Sequence, residues 1–428
     1  MTPSAPGHIV IVGAGAAGLI AARELGRAGK RVTILEAQDR CGGRIHPLPV
    51  AEFGYAAEGG AEFVHGEAPV TRALLREAGL SLSPIAGRRW SARDGVFSQN
   101  DAPAPHEGRF YRALTELEAD LPIAEFLDKH FAGRQYEELR RSITRMVEGY
   151  DAADPARAST LALRDEWTGR GLGRQGRIVG GYGGLIEFLA AQCTEQGASI
   201  HLGTAVSGIE ESGGGIIAHG SNGPRYEGDA AILTVPLPVL EEIALPPGAR
   251  EKAAASADIG YGNVVKFLLR FTSPWWAHVG GRNLADLSFL FSTATVPTWW
   301  TQHAAKHPVL TGWFAGPKTE GVAQLSEAEL VEIGLASLAE TFHRAPDRLR
   351  KDLVAARAIN WASDPFARGA YSYATPETRK AQSVLGNADG GKLFFSGEAF
   401  YRGRDMGTVE AALASGLETA RAVLALGQ

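Results

Sequence analysis

The stretch His8-Ile9-Val10-Ile11-Val12-Gly13-Ala14-Gly15-Ala16-Ala17-Gly18-Leu19-Ile20-Ala21-Ala22, followed by Arg31-Val32-Thr33-Ile34-Leu35-Glu36, decides how this 428-residue chain begins to fold. His8 to Val12 is a short β-rich apolar run, suited to a buried parallel strand. Ala16 to Ala28 is rich in Ala and Leu with its charges on one side, and Gly29 is placed to end it as a helix cap. Arg31 to Leu35 reads as a second strand with Glu36 at its end, so the chain opens with a βαβ unit. Between strand and helix lie Gly13, Gly15 and Gly18. Gly13 makes the tight turn, Gly15 lets the backbone approach a pyrophosphate, and Gly18 lets helix pack on strand. The helix N-terminus, at Ala16 and Ala17, offers free N–H groups and the positive end of its dipole. Glu36 and its neighbour Ala37 follow the second strand, where the carboxylate can accept both ribose hydroxyls and repel a 2′-phosphate. The pattern points to a dinucleotide and by itself does not separate NAD from FAD.

Composition narrows the class. The chain is long enough for two intertwined domains. Its 45% hydrophobic and 21% charged content is that of a globular protein. A net charge of −5 argues against a nucleic-acid partner, which demands a basic face. Cys41 and Cys193 form no CxxC pair, so no zinc site and no disulfide framework is expected, and two thiols suit a reducing compartment. The opening apolar run imitates a signal peptide but lacks a basic segment ahead of it, and no other run approaches a membrane span of roughly 18 residues. The expectation is a soluble, cytoplasmic protein without metal ligands. Its oligomeric state is open, a homodimer being one option.

Further along, helices are expected over Ala68–Ala78, between about Arg109 and Trp167, and over Gly184–Gln196. Strands are expected at Ser199–Leu202, Ala205–Glu210, Ile216–His219 and Ala230–Val235. More follow at Asn263–Phe271, Leu287–Phe291, Val309–Phe314, Leu353–Trp361 and Lys392–Ser396. Long helices are expected over Glu327–Phe342 and Gly407–Leu426. The opening βαβ needs more parallel strands to bury both faces. The apolar runs before Thr234 and before Gly397 are the best candidates, so the nucleotide domain should be assembled from the start, middle and end of the chain.

The residues after Glu36 narrow the choice of cofactor. In Arg40-Cys41-Gly42-Gly43-Arg44, two glycines and a guanidinium can approach an anionic pyrophosphate from the other side. The stretch Glu36 to Arg44 resembles the signature of the flavin amine oxidase family, which includes monoamine, polyamine and L-amino-acid oxidases and histone lysine demethylases. Glu58-Gly59-Gly60-Ala61-Glu62-Phe63-Val64-His65-Gly66 resembles the family loop that passes the flavin ring. Val206 stands at the adenine-contacting valine, and Lys266 in Val264–Phe271 at the flavin-facing lysine. Trp361, Asp364-Pro365 and Gly369-Ala370-Tyr371-Ser372 resemble the segment lining the flavin's substrate side. Phe395-Ser396-Gly397-Glu398-Ala399 and Gly407-Thr408-Val409-Glu410 resemble the closing FAD motif.

That resemblance implies an α/β fold: a Rossmann-type FAD-binding domain (1–75, 185–262, 385–428) intertwined with an α+β substrate-binding domain (76–184, 263–384). It implies FAD held by the glycine loops, Glu36, Ala37, Arg44, Gly60, Ala61, Glu62, Phe63, Val206, Trp361 and Gly397. Glu398 would lie near the ribityl chain or pyrophosphate, and the Thr408–Val409 backbone would face the flavin N1–C2 edge. Ala370 stands where monoamine oxidases carry the cysteine that tethers the flavin, so FAD should be non-covalent. The implied reaction oxidises the carbon beside an amine nitrogen to an imine, with oxygen reoxidising the flavin to give hydrogen peroxide.

Lys266 is the best catalytic candidate. A lysine in an apolar β-run is costly unless paired; read from the residues alone, a solvated edge strand is an equal alternative. His65 could hold an amine through water or move a proton, and a structural histidine is its equal alternative. Tyr371 and Phe63 are the expected substrate-side rings. Thr408 replaces the second tyrosine of the aromatic cage, which opens one wall toward a polyamine or substituted secondary amine. An amino acid is disfavoured because no arginine is identifiable for its carboxylate. Trp275-Trp276 and Trp299-Trp300 are expected to be packing rather than tunnel. The rival readings are a desaturase or protoporphyrinogen-oxidase-like flavoprotein, an L-amino-acid oxidase, and a non-catalytic FAD-containing binding module. A histone demethylase is disfavoured because no long helical hairpin insert is present.

Overall fold

The computed structural model describes residues 7–99, 105–168, 175–221, 223–386 and 391–426. Among these, a five-stranded parallel sheet runs in the order Leu393–Phe395, Ala230–Leu233, His8–Val12, Arg31–Leu35, Ser199–His201. The opening strand is central, which is why it reads as an unbroken apolar run. Helix Ala16–Arg27 returns over one face beside helices Gly183–Glu195 and Val409–Ala425. Leu19, Leu25, Leu185, Leu189 and Leu413 there meet Ile9, Ile11 and Ile34 in one core. On the other face Val10, Val12 and Leu35 pack with Leu237, Ile243 and the antiparallel sheet of Val206–Ser212, Gly215–Gly220 and Arg225–Gly228. With both faces covered, this is the expected Rossmann-type α/β arrangement. The strands before Thr234 and Gly397 are both in it, and Ser199–His201 supplies the far edge.

A second sheet has seven strands among the described residues. Their order is Leu353–Asn360, Val264–Phe271, Val309–Ala315, Thr298–Trp300, Leu287–Ser292, Arg88–Arg93, Val96–Gln99. Helix Glu327–Phe342, started by a capping box of Ser326 and Glu329, covers one face. It packs against Val265, Phe267, Leu269 and Phe271. Strand side chains alternate, so Val264, Lys266 and Leu268 belong to the opposite face. Lys266 is therefore not on a solvated edge: its strand is hydrogen-bonded on both sides.

Several features depart from the sequence reading, among them strand Thr298–Trp300 and helices Pro346–Asp352 and Thr378–Leu385. The hairpin Arg88–Arg93 and Val96–Gln99 was not expected, because only Trp90, Ala92 and Phe97 are buried and the polar residues between them mask the alternation. The helical stretch from Arg109 to Trp167 is four helices, Glu107–Thr115, Ile123–His130, Glu137–Gly149 and Thr160–Trp167. Pro122 stands at the N-cap of the second and Pro155 lies between the last two, positions that interrupt a helix. These helices share their own core of Phe110, Phe126, Leu139 and Trp167. Among the described residues no helix is long and apolar enough to cross a membrane.

Candidate active site

The opening turn is built on absent side chains. Gly13 has φ +107°, and a Cβ there would come within 2.6 Å of Thr234 Oγ1. Gly18 is constrained by space: a Cβ would lie 2.0 Å from the Gly13 carbonyl oxygen. At Gly15 a Cβ would meet nothing within 4 Å; it would stand in the open cleft. Gly15 is also the N-cap of helix Ala16–Arg27 and offers no side-chain cap, so first-turn amides are left to a ligand. The second glycine loop closes from the other side. Gly42 donates to the Ala14 carbonyl at 2.9 Å and pairs with Gly15 in an isolated bridge.

Glu36 ends the second strand and accepts from Ala14 N at 2.7 Å and Gln38 N at 2.9 Å. Burial raises its carboxyl above the usual carboxylate range, and those amide bonds oppose the rise. Arg44 donates through Nη1 to the Ala370 carbonyl at 2.8 Å and to Glu398 Oε1 at 2.7 Å. Burial alone would lower the Arg44 guanidinium, but Tyr261 and Glu398 outweigh it and raise it. Ser372 Oγ donates to the other Glu398 oxygen. Thr408 caps helix Val409–Ala425, its hydroxyl accepting from Ala411 N at 3.2 Å.

One cleft of about 2950 Å³ joins these parts to the substrate side. Ordinary small-molecule pockets hold about 300–1,000 Å³, so this one has room for a dinucleotide and a substrate together. It brings together Gly13, Gly15, Ala16, Ala17, Glu36, Ala37, Gly42, Gly43, Arg44, Gly60, Ala61, Glu62, Phe63, Val206, Trp361, Gly397, Glu398, Thr408 and Val409 with His65, Lys266 and Tyr371. Gly18 alone of the expected positions does not line it, in keeping with its packing task.

Beyond Lys266 the cleft has an aromatic wall. Tyr371 stacks on Trp313 at 6.5 Å between ring centroids, and Trp313 meets Trp300 at 5.8 Å. Trp300 meets Phe63 at 5.5 Å, and Phe63 meets Phe289 at 5.9 Å. Trp300 thus corrects the packing expectation for its pair, whereas Trp276 and Trp299 are core residues. His65 Nδ1 lies 3.0 Å from Gln175 Nε2, a donor, and 3.2 Å from the Tyr150 hydroxyl. Burial pushes the His65 imidazole down to about 4, so it is neutral at pH 7 with its proton on Nε2.

Sequence reasoning missed Trp313, Asp151, Glu166, Asp405 and Arg89. Trp313 was within reach, since it pairs in register with Lys266 on the adjacent strand. Asp151, Glu166 and Asp405 sit in no motif, yet all three line the cleft. Burial, then the neighbouring Glu166, push the Asp151 carboxyl well up. Burial, then Asp405, raise Glu166 to about 7, although the bond from Asp151 opposes it. Arg89 also lines the cleft, its guanidinium 5.9 Å from the centroid of the Phe289 ring.

A parallel-sheet nucleotide fold whose cleft runs on to an aromatic wall fits a flavin-dependent oxidoreductase. The chain belongs to the flavin containing amine oxidoreductase family, whose profile matches residues 16–424. It is 28% identical over 453 residues to Polyamine oxidase 4 of Oryza sativa subsp. japonica, covering 97% of this chain and 88% of that one. It is 26% identical to Lysine-specific histone demethylase 2 of Homo sapiens, covering 97% of this chain and 53% of that one. The solved structure of putrescine oxidase bound to putrescine matches with a TM-score of 0.79 at 21% identity, over 99% of this chain and 100% of that one, a likeness of fold. FAD is the cofactor, and the residues fit it: the Gly15 cradle is one a Cβ would fill, and uncapped amides face it.

Proposed function

We propose that this FAD-dependent amine oxidase acts on a polyamine or another primary or secondary amine, with oxygen as the final electron acceptor. Held by the glycine loops, Glu36 and Arg44, FAD would supply the two-electron acceptor for this chemistry: the amine would lose a hydride from carbon and a proton from nitrogen to become an imine, which water hydrolyses, and oxygen would take up both electrons and two protons as hydrogen peroxide. The observation that carries the polyamine reading is the carboxyl group of Asp151. It is 9% exposed and is bonded to the enclosed Glu166 carboxyl, with no cation paired to it among the described residues, in the cleft that Asp405 also lines. Buried carboxyls without a cation are costly, and a second ammonium on the substrate would relieve that cost. The names of the relatives, polyamine oxidase and putrescine oxidase, support the same class.

Each protein group has a task within this reading. Phe63, Trp300, Trp313 and Tyr371 orient the carbon chain and exclude water. Neutral His65 faces an amine without repelling it and can hold or pass a proton at Nε2. Lys266 presents a fixed ammonium on the cleft side of its strand, where it can assist oxygen. We assign FAD binding to 1–75, 185–262 and 385–428 and substrate binding to 76–184 and 263–384. Sheet membership supports the division, although Val64–His65 pairs across it with Gln175–Ile178 and Gly260–Gly262 pairs across it with Tyr371–Tyr373. The free thiols of Cys41 and Cys193 are in keeping with a cytoplasmic setting.

The test is anaerobic mixing with spermidine, putrescine, benzylamine and a panel of amino acids, followed by peroxide assay in air. Bleaching by di- and polyamines ahead of benzylamine is the expected result. Bleaching only by amino acids would replace the polyamine reading, and a flavin inert to every amine would leave a binding module.

A further inference from the structure

Glu62 has an environment that cofactor binding does not require. Lys266 is fully buried and donates from Nζ to the Gly60 carbonyl at 3.0 Å and to Glu62 Oε2 at 2.9 Å, with the Trp300 ring centroid 5.5 Å away. The other oxygen, Glu62 Oε1, accepts from Arg177 Nε at 2.8 Å, Trp300 Nε1 at 3.0 Å and Gln302 Nε2 at 2.9 Å. Arg177 is itself braced by the Thr301 carbonyl at 3.1 Å and lies 4.7 Å from the Phe63 ring centroid. Burial alone would raise the Glu62 carboxyl; the charges of Lys266 and Arg177 reverse this and hold it at about 2. It is therefore ionised across the working pH range.

Donors from two other segments pin one oxygen, so the carboxylate cannot swing away from the lysine. A buried ammonium without such a partner is strongly disfavoured. With it, Lys266 and Glu62 form a pair of zero net charge, with Arg177 as the second cation on the far oxygen, and the pair lies in the wall of the cleft that takes FAD. Both carboxylate oxygens are already engaged, so Glu62 has little left to offer the cofactor directly.

We propose that Glu62 is the positioning residue of Lys266, fixing its ammonium at the Gly60 carbonyl and cancelling its charge as the bound flavin feels it. Glu62 thereby sets how strongly the flavin attracts electrons. A cation left uncompensated in a low-dielectric wall favours the more negative, reduced form of the cofactor, and removal of the cation disfavours it. This goes beyond the amine reading, since it concerns the flavin whichever amine is oxidised.

The experiment is the midpoint potential of the purified holoprotein, measured by dye equilibration at pH 6, for Glu62→Gln, Glu62→Asp, Lys266→Met and the double variant Glu62→Gln/Lys266→Met. Glu62→Gln should raise the potential and Lys266→Met should lower it, each by about ten-fold in the equilibrium constant for reduction. Glu62→Asp keeps the charge and should stay near the native value. The double variant, again without net charge at the pair, should return close to it. A Glu62→Asp shift as large as that of Glu62→Gln would mean a merely structural role and overturn the proposal, as would a native potential in Glu62→Gln. Should Glu62→Gln fail to keep its FAD, the double variant decides: a potential well away from native sinks the idea.

Discussion

The two ends of the cleft are made of different material. The nucleotide end is backbone: Gly13, Gly15 and Gly18 act by what they lack, and the ligands they offer are amides at a helix start. The substrate end is side chain: Lys266, Glu62, Trp300, Trp313 and Tyr371 come from five separate stretches and hold one another by rings and charges. A backbone site tolerates almost no substitution but is compact in sequence. A side-chain site is scattered, and single changes in it should alter chemistry before they alter the fold.

The hardest way to break this contrast is within the glycine turn. Gly18→Val should give no folded holoprotein, because the Cβ would overlap a backbone oxygen in a closed core. Gly15→Val should fold with an unchanged melting temperature as apoprotein and yet carry no flavin absorbance. Equal behaviour of the two variants would mean that the turn is not divided between packing and ligand approach.

Lys266→Met tests the other end. We expect reoxidation by oxygen to slow by about 10²–10³-fold, the loss typical of a preorganised electrostatic group, while FAD content stays full. Stopped-flow separation of the half-reactions checks it, and an unchanged oxygen rate would remove Lys266 from that step.

His65 gives a pH signature. Its folded value is depressed from 6.5 to about 4 by burial. The stability it contributes is therefore present above pH 6.5 and lost as pH falls toward 4. The full loss is up to about 3 kcal/mol. His65→Asn should flatten thermal stability across that window, and an unaltered slope between pH 6.5 and 4 would contradict the burial.

Glu36→Ala should weaken FAD binding by roughly 1.5–3 kcal/mol, the worth of a charged hydrogen-bond acceptor, which dialysis followed by a flavin titration would read. The smallest effect is expected at Thr408, where a ring would restore guidance worth on the order of 0.5–2 kcal/mol. Thr408→Tyr should penalise the native substrate more than benzylamine; equal losses on both would show that Thr408 does not border the substrate.

The same contrast explains what was legible in the sequence. Strand, glycine triplet, helix and Glu36 lie within thirty consecutive residues, and local rules read them nearly to the residue. Lys266 was half legible: charge in an apolar strand is anomalous, but the residues alone left a solvated edge as an equal alternative, and the family resemblance singled it out. Glu62 was named for a cofactor contact, but its partners Arg177, Trp300 and Gln302 lie more than a hundred residues away, and no spacing rule connects them. Asp151 and Glu166 were hidden for another reason: in sequence one looks like an ordinary acid after a helix and the other like an ordinary acid within one, and only enclosure makes them unusual. The hairpin at Arg88–Gln99 was lost because a strand half exposed to water carries little apolar signal.

The contact between the opening helix and the closing one has a consequence for how the protein is made. Gly416 lies so close to the first helix that a Cβ would come 2.4 Å from the Ala17 carbonyl oxygen, and strand Leu393–Phe395 completes the parallel sheet at its edge. At ribosomal rates of about 5–20 residues per second, the helix carrying Ala17 waits roughly 20–80 s for those partners to be synthesised. During that interval the apolar face made by Leu19, Leu25 and Ile34 is without Leu413. That face stays open to water until helix Val409–Ala425 emerges, and FAD can meet a finished cradle only after that helix has docked.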